Sequence, residues 1–462
     1  MMNITKKIWN RLGHLRPTQT IALGFLIVIL TGSLILSLPI SAVNGQATNY
    51  LDALFTATTS VCVTGLTVVS TADHWSIFGQ AVILLLIQIG GFGVVTIAIC
   101  GMVAFHRRIG LKNRMLIQAA YGWDSMYGVM GLIRKIIIGT MFVEVIGALC
   151  YMPVLVGRDG LRGIWESVFL SISAFCNAGM DIMGNNSLVD FVGNYWVNIV
   201  TMILIILGGL GFLVWWEALR LIQERKKAKR SWRATWHKVS LHTKIVLTTT
   251  LVCLISGMVI VFLCEYHNPD TLGNMSLPQK LLASLFQSVT TRTAGFFTIS
   301  QKAMGDAASL FCMLLMLIGG SPGGTAGGVK TVTVAMLFFA VTAAIKGRDE
   351  TRVFHRSISD NNVKKGLSII LLSLSIWFVM TILLTIFEDG NFMSICYETM
   401  SAIGTVGLSK DFTGTLHSAG KCVIILMMYL GRIGPITMAA AFLTKGKGDD
   451  STHLPEEKIM IG

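Results

Sequence analysis

LDALFTATTSVCVTG, residues 51–65, is a short semi-polar segment that ends on a glycine, and the chain repeats its design three more times. The counterparts are WESVFLSISAFCNAG (165–179), LLASLFQSVTTRTAG (281–295) and MSICYETMSAIGTVG (393–407). The closing glycines, Gly65, Gly179, Gly295 and Gly407, stand 114, 116 and 112 residues apart. A large apolar residue follows each: Leu66, Met180, Phe296 and Leu408. Four equivalent loops in one chain predict convergence on a common axis, the arrangement a pore requires.

The surrounding composition places these loops in a membrane. Of 462 residues, 53% are hydrophobic and 13% charged, against roughly 25% charged in a soluble domain. The mean hydropathy of +0.68 agrees. A net charge of +13 would suggest nucleic acid in a soluble protein. Here the basic residues sit in short loops between apolar runs, which is a topological pattern and excludes that reading. The nine cysteines are scattered without CxxC spacing and read as small buried residues, not as a metal site or disulfide frame. The N-terminal apolar run is long and lacks a cleavage site, so it is expected to be a retained helix.

Eight apolar runs are long enough to span a bilayer: 18–39, 76–105, 131–156, 192–222, 243–265, 305–344, 366–387 and 419–443. They pair around the glycine-ending segments, which are too short and too polar to cross. Such backbone survives at membrane depth only when buried in protein or lining water. The expected fold is an all-α polytopic membrane protein of four tandem helix–re-entrant pore loop–helix repeats around a pseudo-fourfold pore, with eight transmembrane helices. The divisions are a cytoplasmic N-terminus (1–17), repeats over 18–115, 116–240, 241–362 and 363–443, and a cytoplasmic tail (444–462). Glycine clusters recur in each second helix, at 89–93, 207–212, 318–324 and 431–435, and predict close packing there.

Loop charge sets orientation. Lys6, Lys7, Arg11 and Arg16, then Arg107, Arg108, Lys112 and Arg114, then 224–238, then Lys346 to Lys365, then Lys445 and Lys447 alternate with loops poor in Lys and Arg. Both termini are therefore expected in the cytoplasm and all four pore loops outside.

The loop ends offer few metal-binding side chains, so selection falls to backbone carbonyls, which replace the hydration shell of K⁺. The short helix before each loop points its partly negative C-terminal end at the same place. Arg292 is expected to tie loop carbonyls behind the filter, since a lining cation would repel the permeant ion. The sixth run is broken by GGSPGGTAGGVK (319–330). This stretch predicts an intramembrane gate loop (318–329) under the filter, built from Gly319, Gly320, Ser321, Pro322, Gly323, Gly324, Thr325, Ala326, Gly327 and Gly328. Lys330 and Arg432 are charges inside membrane segments and join the gate as candidates. Arg432 would bond the loop carbonyls. Lys330 is open between that role and snorkelling to the surface.

DALFTATTSVCVTGLTVV (52–69), ISAFCNAG (172–179), SLHTKIVLT (240–248), TRTAGF (291–296), SAIGTVGL (401–408), AGKC (419–422) and GRIGPIT (431–437) jointly resemble the Trk/Ktr/HKT superfamily of potassium transporters, most closely its bacterial Ktr membrane subunits (the KtrB type). The resemblance covers nearly the whole chain. It implies K⁺ uptake across the bacterial plasma membrane, Na⁺ as a candidate coupling or activating ion, a homodimer, and control by a cytosolic RCK-type (KtrA-like) regulatory subunit binding ATP or ADP. No nucleotide is expected on this chain, which has no GxGxxG after a strand. The family's filter positions fall on Val63, Thr64 and Gly65; Asn177, Ala178 and Gly179; Thr293, Ala294 and Gly295; and Thr405, Val406 and Gly407. In plant relatives serine at the first filter glycine goes with Na⁺ preference, so Gly65 implies K⁺. Two departures stand out. FCNAGMD carries Cys176 where family members have asparagine, and Asp181 where they have an uncharged residue, a charge able to draw cations to the outer mouth. The gate stretch is also richer in glycine than the family's serine-rich loops. The competing readings are an alternating-access transporter for a larger solute, which needs symmetry-related broken helices and a midplane pocket, and a membrane enzyme, for which no HExxH, GxSxG or paired-carboxylate constellation exists.

Overall fold

The computed structural model describes residues 17–93, 96, 129–184, 186–229, 231–434 and 437–438. The expected cytoplasmic tail and the basic clusters at 6–16, 107–114 and 445–447 lie outside them.

Fifteen helices carry the described chain. In the first part, α1 (Pro17–Leu36), α2 (Tyr50–Cys62) and α3 (Ile77–Phe92) follow one another. Asn49 and Ser76 start α2 and α3 by accepting the backbone N–H groups of Leu51 and Gly79, the usual N-cap chemistry. Next come α4 (Val129–Asp159), α5 (Arg162–Cys176), α6 (Tyr195–Leu210), α7 (Phe212–Ala228) and α8 (Trp232–Lys238). The third part has α9 (Leu241–Glu265), α10 (Leu277–Thr290), α11 (Asp306–Leu317) and α12 (Thr331–Ile345). The last has α13 (Asp360–Phe387), α14 (Phe392–Gly404) and α15 (Ser418–Ile433).

Burial inverts the soluble pattern. The short helices α2, α5, α10 and α14 are semi-polar yet lie in the centre, with Thr58, Thr59, Ser60, Ser171, Ser173, Ser288, Thr290, Thr399 and Ser401 buried. Their hydroxyls are satisfied locally: Ser60 Oγ donates to Thr56 O (2.6 Å) and Thr399 Oγ1 to Ile395 O (2.9 Å). The long apolar helices stand outside and expose Leu26 and Ile27 on α1, Phe142 on α4, Leu251 on α9 and Phe378 on α13. An apolar exterior around a hydroxyl-rich centre belongs in lipid, and this is a multi-pass membrane protein.

Helix packing runs in a circle. α2 packs on α1 and α3, α5 on α4 and α6, α10 on α9, and α14 on α13, α15 and α11. Each group also reaches the next: α3 touches α5, α6 touches α10, and α15 returns to α2. The ion pair of Lys421 Nζ with Asp52 Oδ1 (2.6 Å) closes the circle across 369 residues.

Three findings stand beside the expectation, whose runs at 76–105 and 419–443 reach beyond the described residues. Four described helices are long and apolar enough to cross a membrane alone, within α1, α4, α9 and α13; α6 with α7 makes a fifth if the bent pair is one span, and α3, α11 and α12 are shorter apolar helices. The run at 192–222 is broken, because Gly211 (φ +88°) ends α6 and turns α7 away by 99°, a conformation that glycine alone adopts without strain. Glycines end α3 (Gly93) and α15 (Gly434) in nearly the same conformation, so the stretch at 319–330 is not the sole interruption. Lastly, the chain is not wholly helical: β1 (Thr351–Val353) and β2 (Arg356–Ile358) form an antiparallel hairpin with Arg352 opposite Ser357.

Candidate functional site

The four short helices end together. Val63, Asn177 and Thr405 close α2, α5 and α14 in the left-handed region (φ +54°, +60°, +50°), and Thr293 takes φ +68° in the third loop. Two residues later Gly65, Gly179, Gly295 and Gly407 also have positive φ, from +64° to +101°.

These glycines form a closed ring. A Cβ placed on Gly65 would stand 2.6 Å from Ala178 O; on Gly179, 2.6 Å from Ala294 O; on Gly295, 2.7 Å from Val406 O; on Gly407, closer still to Thr64 O. Each glycine therefore lies against the carbonyl just before the next glycine, in the cyclic order 65, 179, 295, 407. No Cβ fits at any of the four, since real Cβ contacts do not approach below 3.0 Å.

Backbone N–H groups in the loops are turned back into their own helices. Thr64, Ala178 and Val406 donate to Thr59, Ser173 and Ser401 carbonyls, each at 2.8 Å, and Ala294 to Thr290 O at 3.0 Å. Gly65 and Gly407 N–H groups bond the hydroxyls of Thr59 and Ser401 (2.9 and 3.0 Å). The buried hydroxyls of Thr64, Thr293 and Thr405 have no hydrogen-bond partner among the described residues, and they lie beside the loop carbonyls that the glycines meet. A site that retains acceptors, at the C-terminal ends of four helices, favours a cation. Asn177 is the one side chain with an amide among the twelve loop-end positions named from the sequence. In the orientation that satisfies both its ends, the nitrogen donates to Phe175, Ile205 and Ala174 carbonyls, which fixes the second loop from behind.

The glycine clusters serve this ring directly. Gly90, Gly208 and Gly431 lie so close to the carbonyls of Val61, Phe175 and Ile403 that a Cβ at any of them would collide. Each carbonyl belongs to the residue four before a ring glycine. Larger side chains would push the helix ends inward.

Below the ring, α11 stops and 318–330 crosses the centre of the molecule. Ile318 and Val329 pair as a parallel bridge, with Gly319 N bonded to Val329 O (2.9 Å) and Thr331 N to Gly320 O (3.1 Å). The stretch is bound to the break after α6: Ser321 N donates to Gly209 O (2.8 Å), Thr325 N to Gly208 O (3.0 Å), and Phe212 N to Gly323 O (3.0 Å). Its hydroxyl Thr325 Oγ1 reaches Phe175 O (3.1 Å). A Cβ on Gly327 would collide with Thr405 Oγ1, so the stretch lies directly beneath the glycine ring. Cavities of about 260 and 220 Å³ flank it, one lined by Val329, Lys330, Ser373 and Gly431, the other by Gly91, Gly323, Gly327 and Arg432.

Three cations hold this stretch. Arg432 Nη1 donates to Thr325 O (2.5 Å), and its Nη2 to Gly90 O. Lys330 Nζ folds back on Ala326 O (2.8 Å). Arg292 is buried and donates to Gly319 O (3.3 Å), so it ties the segment 319–328 where its own loop was expected. Asp181 sits past the second filter glycine, its carboxylate accepting from Ser187 Oγ (2.7 Å) and Met183 N (3.1 Å).

Sequence reasoning missed Glu144. It is buried in α4, receives both bonds of the Gln88 amide (3.0 and 3.1 Å) and lies 3.8 Å from Cys176 Sγ. The signal was present as a lone acid inside an apolar run.

Comparison with known proteins gives the lineage. The family model "TrkH: Cation transport protein" matches residues 12–453. The chain is 40% identical to the Ktr system potassium uptake protein B of Bacillus subtilis, over 96% of this chain and 97% of that protein. It is 38% identical to the potassium/sodium uptake protein NtpJ of Enterococcus hirae, over the full length of both. The crystal structure of the potassium transporter TrkH from Vibrio parahaemolyticus has the same fold, with a TM-score of 0.68 at 16% identity over 91% of this chain and 84% of that one. A ring built from four loops of one chain thus has its place in a lineage, and the chain belongs to the TrkH family of cation transport proteins, within the Trk/Ktr superfamily and KtrB-like.

Proposed function

We propose that this chain is the membrane subunit of a K⁺ uptake system and that K⁺ passes through the ring of Gly65, Gly179, Gly295 and Gly407. The observation that carries the reading is the cyclic contact of each glycine with the next loop's carbonyl. Such a ring suits a bare ion, with Val63, Thr64, Asn177, Ala178, Thr293, Ala294, Thr405 and Val406 supplying the acceptors. The four helix triplets then act as four pore-loop repeats with eight spans, all loops entering from outside and both termini cytoplasmic, as the loop charges require. Residues 319–328, held by Lys330, Arg292 and Arg432, act as the gate below the filter. The similarity to Ktr-system proteins supports a homodimer controlled by a cytosolic nucleotide-binding subunit. The similarity to a potassium/sodium uptake protein supports Na⁺ as coupling or activating ion.

K⁺ flux into proteoliposomes, with and without Na⁺ and the regulatory subunit, tests this. Saturable K⁺ uptake that Gly65→Ser shifts toward Na⁺ is the expected result. Unchanged selectivity in that variant would remove the filter assignment.

One observation favours alternating access: glycine breaks recur at the ends of α3, α6 and α15, in corresponding places of the chain, as that mechanism needs. The tight glycine ring opposes it, because a larger solute has no room there. Uptake of a labelled organic solute in the same vesicles separates the two.

A further inference from the structure

A second site lies away from the ion pathway. Between α4, α7 and the start of α9 a cavity of about 690 Å³ opens outward, lined by Lys135, Trp216, Arg220, Gln223 and His242. Two cations, Lys135 and Arg220, and the indole of Trp216 line it together. Lys135 Nζ stands 5.7 Å over the Trp216 ring and has no carboxylate partner among the described residues. Trp216 Nε1 and His242 Nε2 are buried without hydrogen-bond partners among the described residues. Indole nitrogen can only donate, and a neutral imidazole carries one donor. The single carboxylate at the wall, Glu217, is turned to the start of α9, where Ser240 N (2.7 Å), Ser240 Oγ (2.6 Å) and Thr243 Oγ1 occupy it. Arg220 is mostly exposed, with only Glu224 at 3.6 Å. Donors without acceptors call for an anion.

The surroundings say what kind of anion. Lys135 lies at one end of an exposed apolar stripe on α4: Ile138, Phe142, Val145 and Leu149 follow it at helical spacing on one face. The 99° bend after α6 lays α7 across the end of that stripe. α7 leads to Arg225, stacked 3.7 Å over Trp232, and to the exposed Trp232 and Trp236, residues that mark a membrane interface. A cationic, donor-rich pocket at the interface end of a lipid-facing stripe matches a molecule with a phosphate head and acyl tails. We propose that this pocket binds an anionic phospholipid, its phosphate on Lys135, Arg220, Trp216 and His242 and a chain along the α4 stripe. Bound there, it would brace α7 against α4, and α7 begins where the segment 321–325 is tied to Gly208, Gly209 and Phe212.

The test is native mass spectrometry of the full chain, purified in mild detergent and exposed to equal phosphatidylglycerol and phosphatidylcholine. The wild type should retain phosphatidylglycerol selectively. Lys135→Gln with Arg220→Gln should reduce that retention about thirtyfold, from two surface charge contacts of about 1 kcal/mol each. Trp216→Phe keeps an aromatic ring beside Gly139 and loses the donor; it should reduce retention by roughly threefold and serves if the double variant does not fold. Arg352→Gln with Arg356→Gln, on the exposed hairpin, should change nothing. Equal retention in wild type and both pocket variants overturns the proposal. So does an equal loss from the hairpin variant, which would mean charge alone attracts lipid. Displacement of phosphatidylglycerol by millimolar inorganic phosphate also overturns it and makes the pocket a site for a soluble phosphate. K⁺ flux plays no part in the readout, so failure here is distinct from failure of the filter assignment.

Discussion

Replacing Arg432 by Met removes the two hydrogen bonds that join the gate stretch to α3, at Thr325 O and Gly90 O. Both are charge-assisted and partly buried, and such bonds are worth about 1.5–3 kcal/mol each. If opening breaks both, the variant loses about 3–6 kcal/mol from the closed arrangement alone, and the closed-to-open ratio falls by about two to four powers of ten. If opening breaks only the bond to Thr325, the effect is still about tenfold. The assay is basal K⁺ flux in proteoliposomes without any regulatory subunit, normalised to reconstituted protein. At least a tenfold rise is expected. Arg432→Lys should fall between, because an ammonium keeps the charge but cannot span two carbonyls as a guanidinium fork does. A basal flux within twofold of wild type, in a variant with an unchanged unfolding temperature, would show that Arg432 is not a latch.

Other expectations follow from the same geometry. Gly208→Ala puts a methyl about where Phe175 O, Thr325 Oγ1 and the Asn177 amide already crowd, so it should lower the unfolding temperature and distort the second loop; an unfolding temperature within a degree of wild type would contradict the packing described. Removing part of 319–328 should raise K⁺ flux and weaken its control by the regulatory subunit, whereas unchanged flux would reduce the stretch to a kink. Asp181→Asn should raise the K⁺ concentration for half-maximal uptake by roughly twofold to tenfold while leaving the maximal rate alone, since the charge acts on ion capture; an altered maximal rate with unchanged half-saturation would count against that role. Asp52→Asn should cost up to about 1 kcal/mol, because the pair with Lys421 is only partly buried, and thermal unfolding at low and high salt measures it.

The four loops are legible in the sequence because their determinants are local. A glycine that must take positive φ, a run of hydroxyl residues before it and a large apolar residue after it recur within short windows. The gate stretch is legible for the same reason, since six glycines and a proline within 319–328 cannot continue a helix. The order of contact around the ring is not, because it depends on which carbonyl meets which glycine across more than a hundred residues. The break at Gly211 is hidden by hydropathy: Leu210, Phe212 and Leu213 keep the apolar run continuous, and only the backbone reveals the turn. Glu144 escapes notice because its partner, Gln88, belongs to another helix. For Arg292 the sequence points to the correct kind of bond but to the wrong segment, since a guanidinium reaches farther than sequence proximity suggests.

The cyclic contact has a consequence for biogenesis. Gly407 rests on Thr64 O, and Lys421 meets Asp52, so the first loop lacks one wall until the last has been synthesised. During translation the first three loops form an open slit with unpaired carbonyls on both flanks. Nascent chains that end before residue 421 should therefore remain protease-sensitive at the first loop and exposed to membrane quality control, however well their early helices have inserted. Closure of the ring needs the fourth loop, because Gly407 supplies the wall beside Thr64 O.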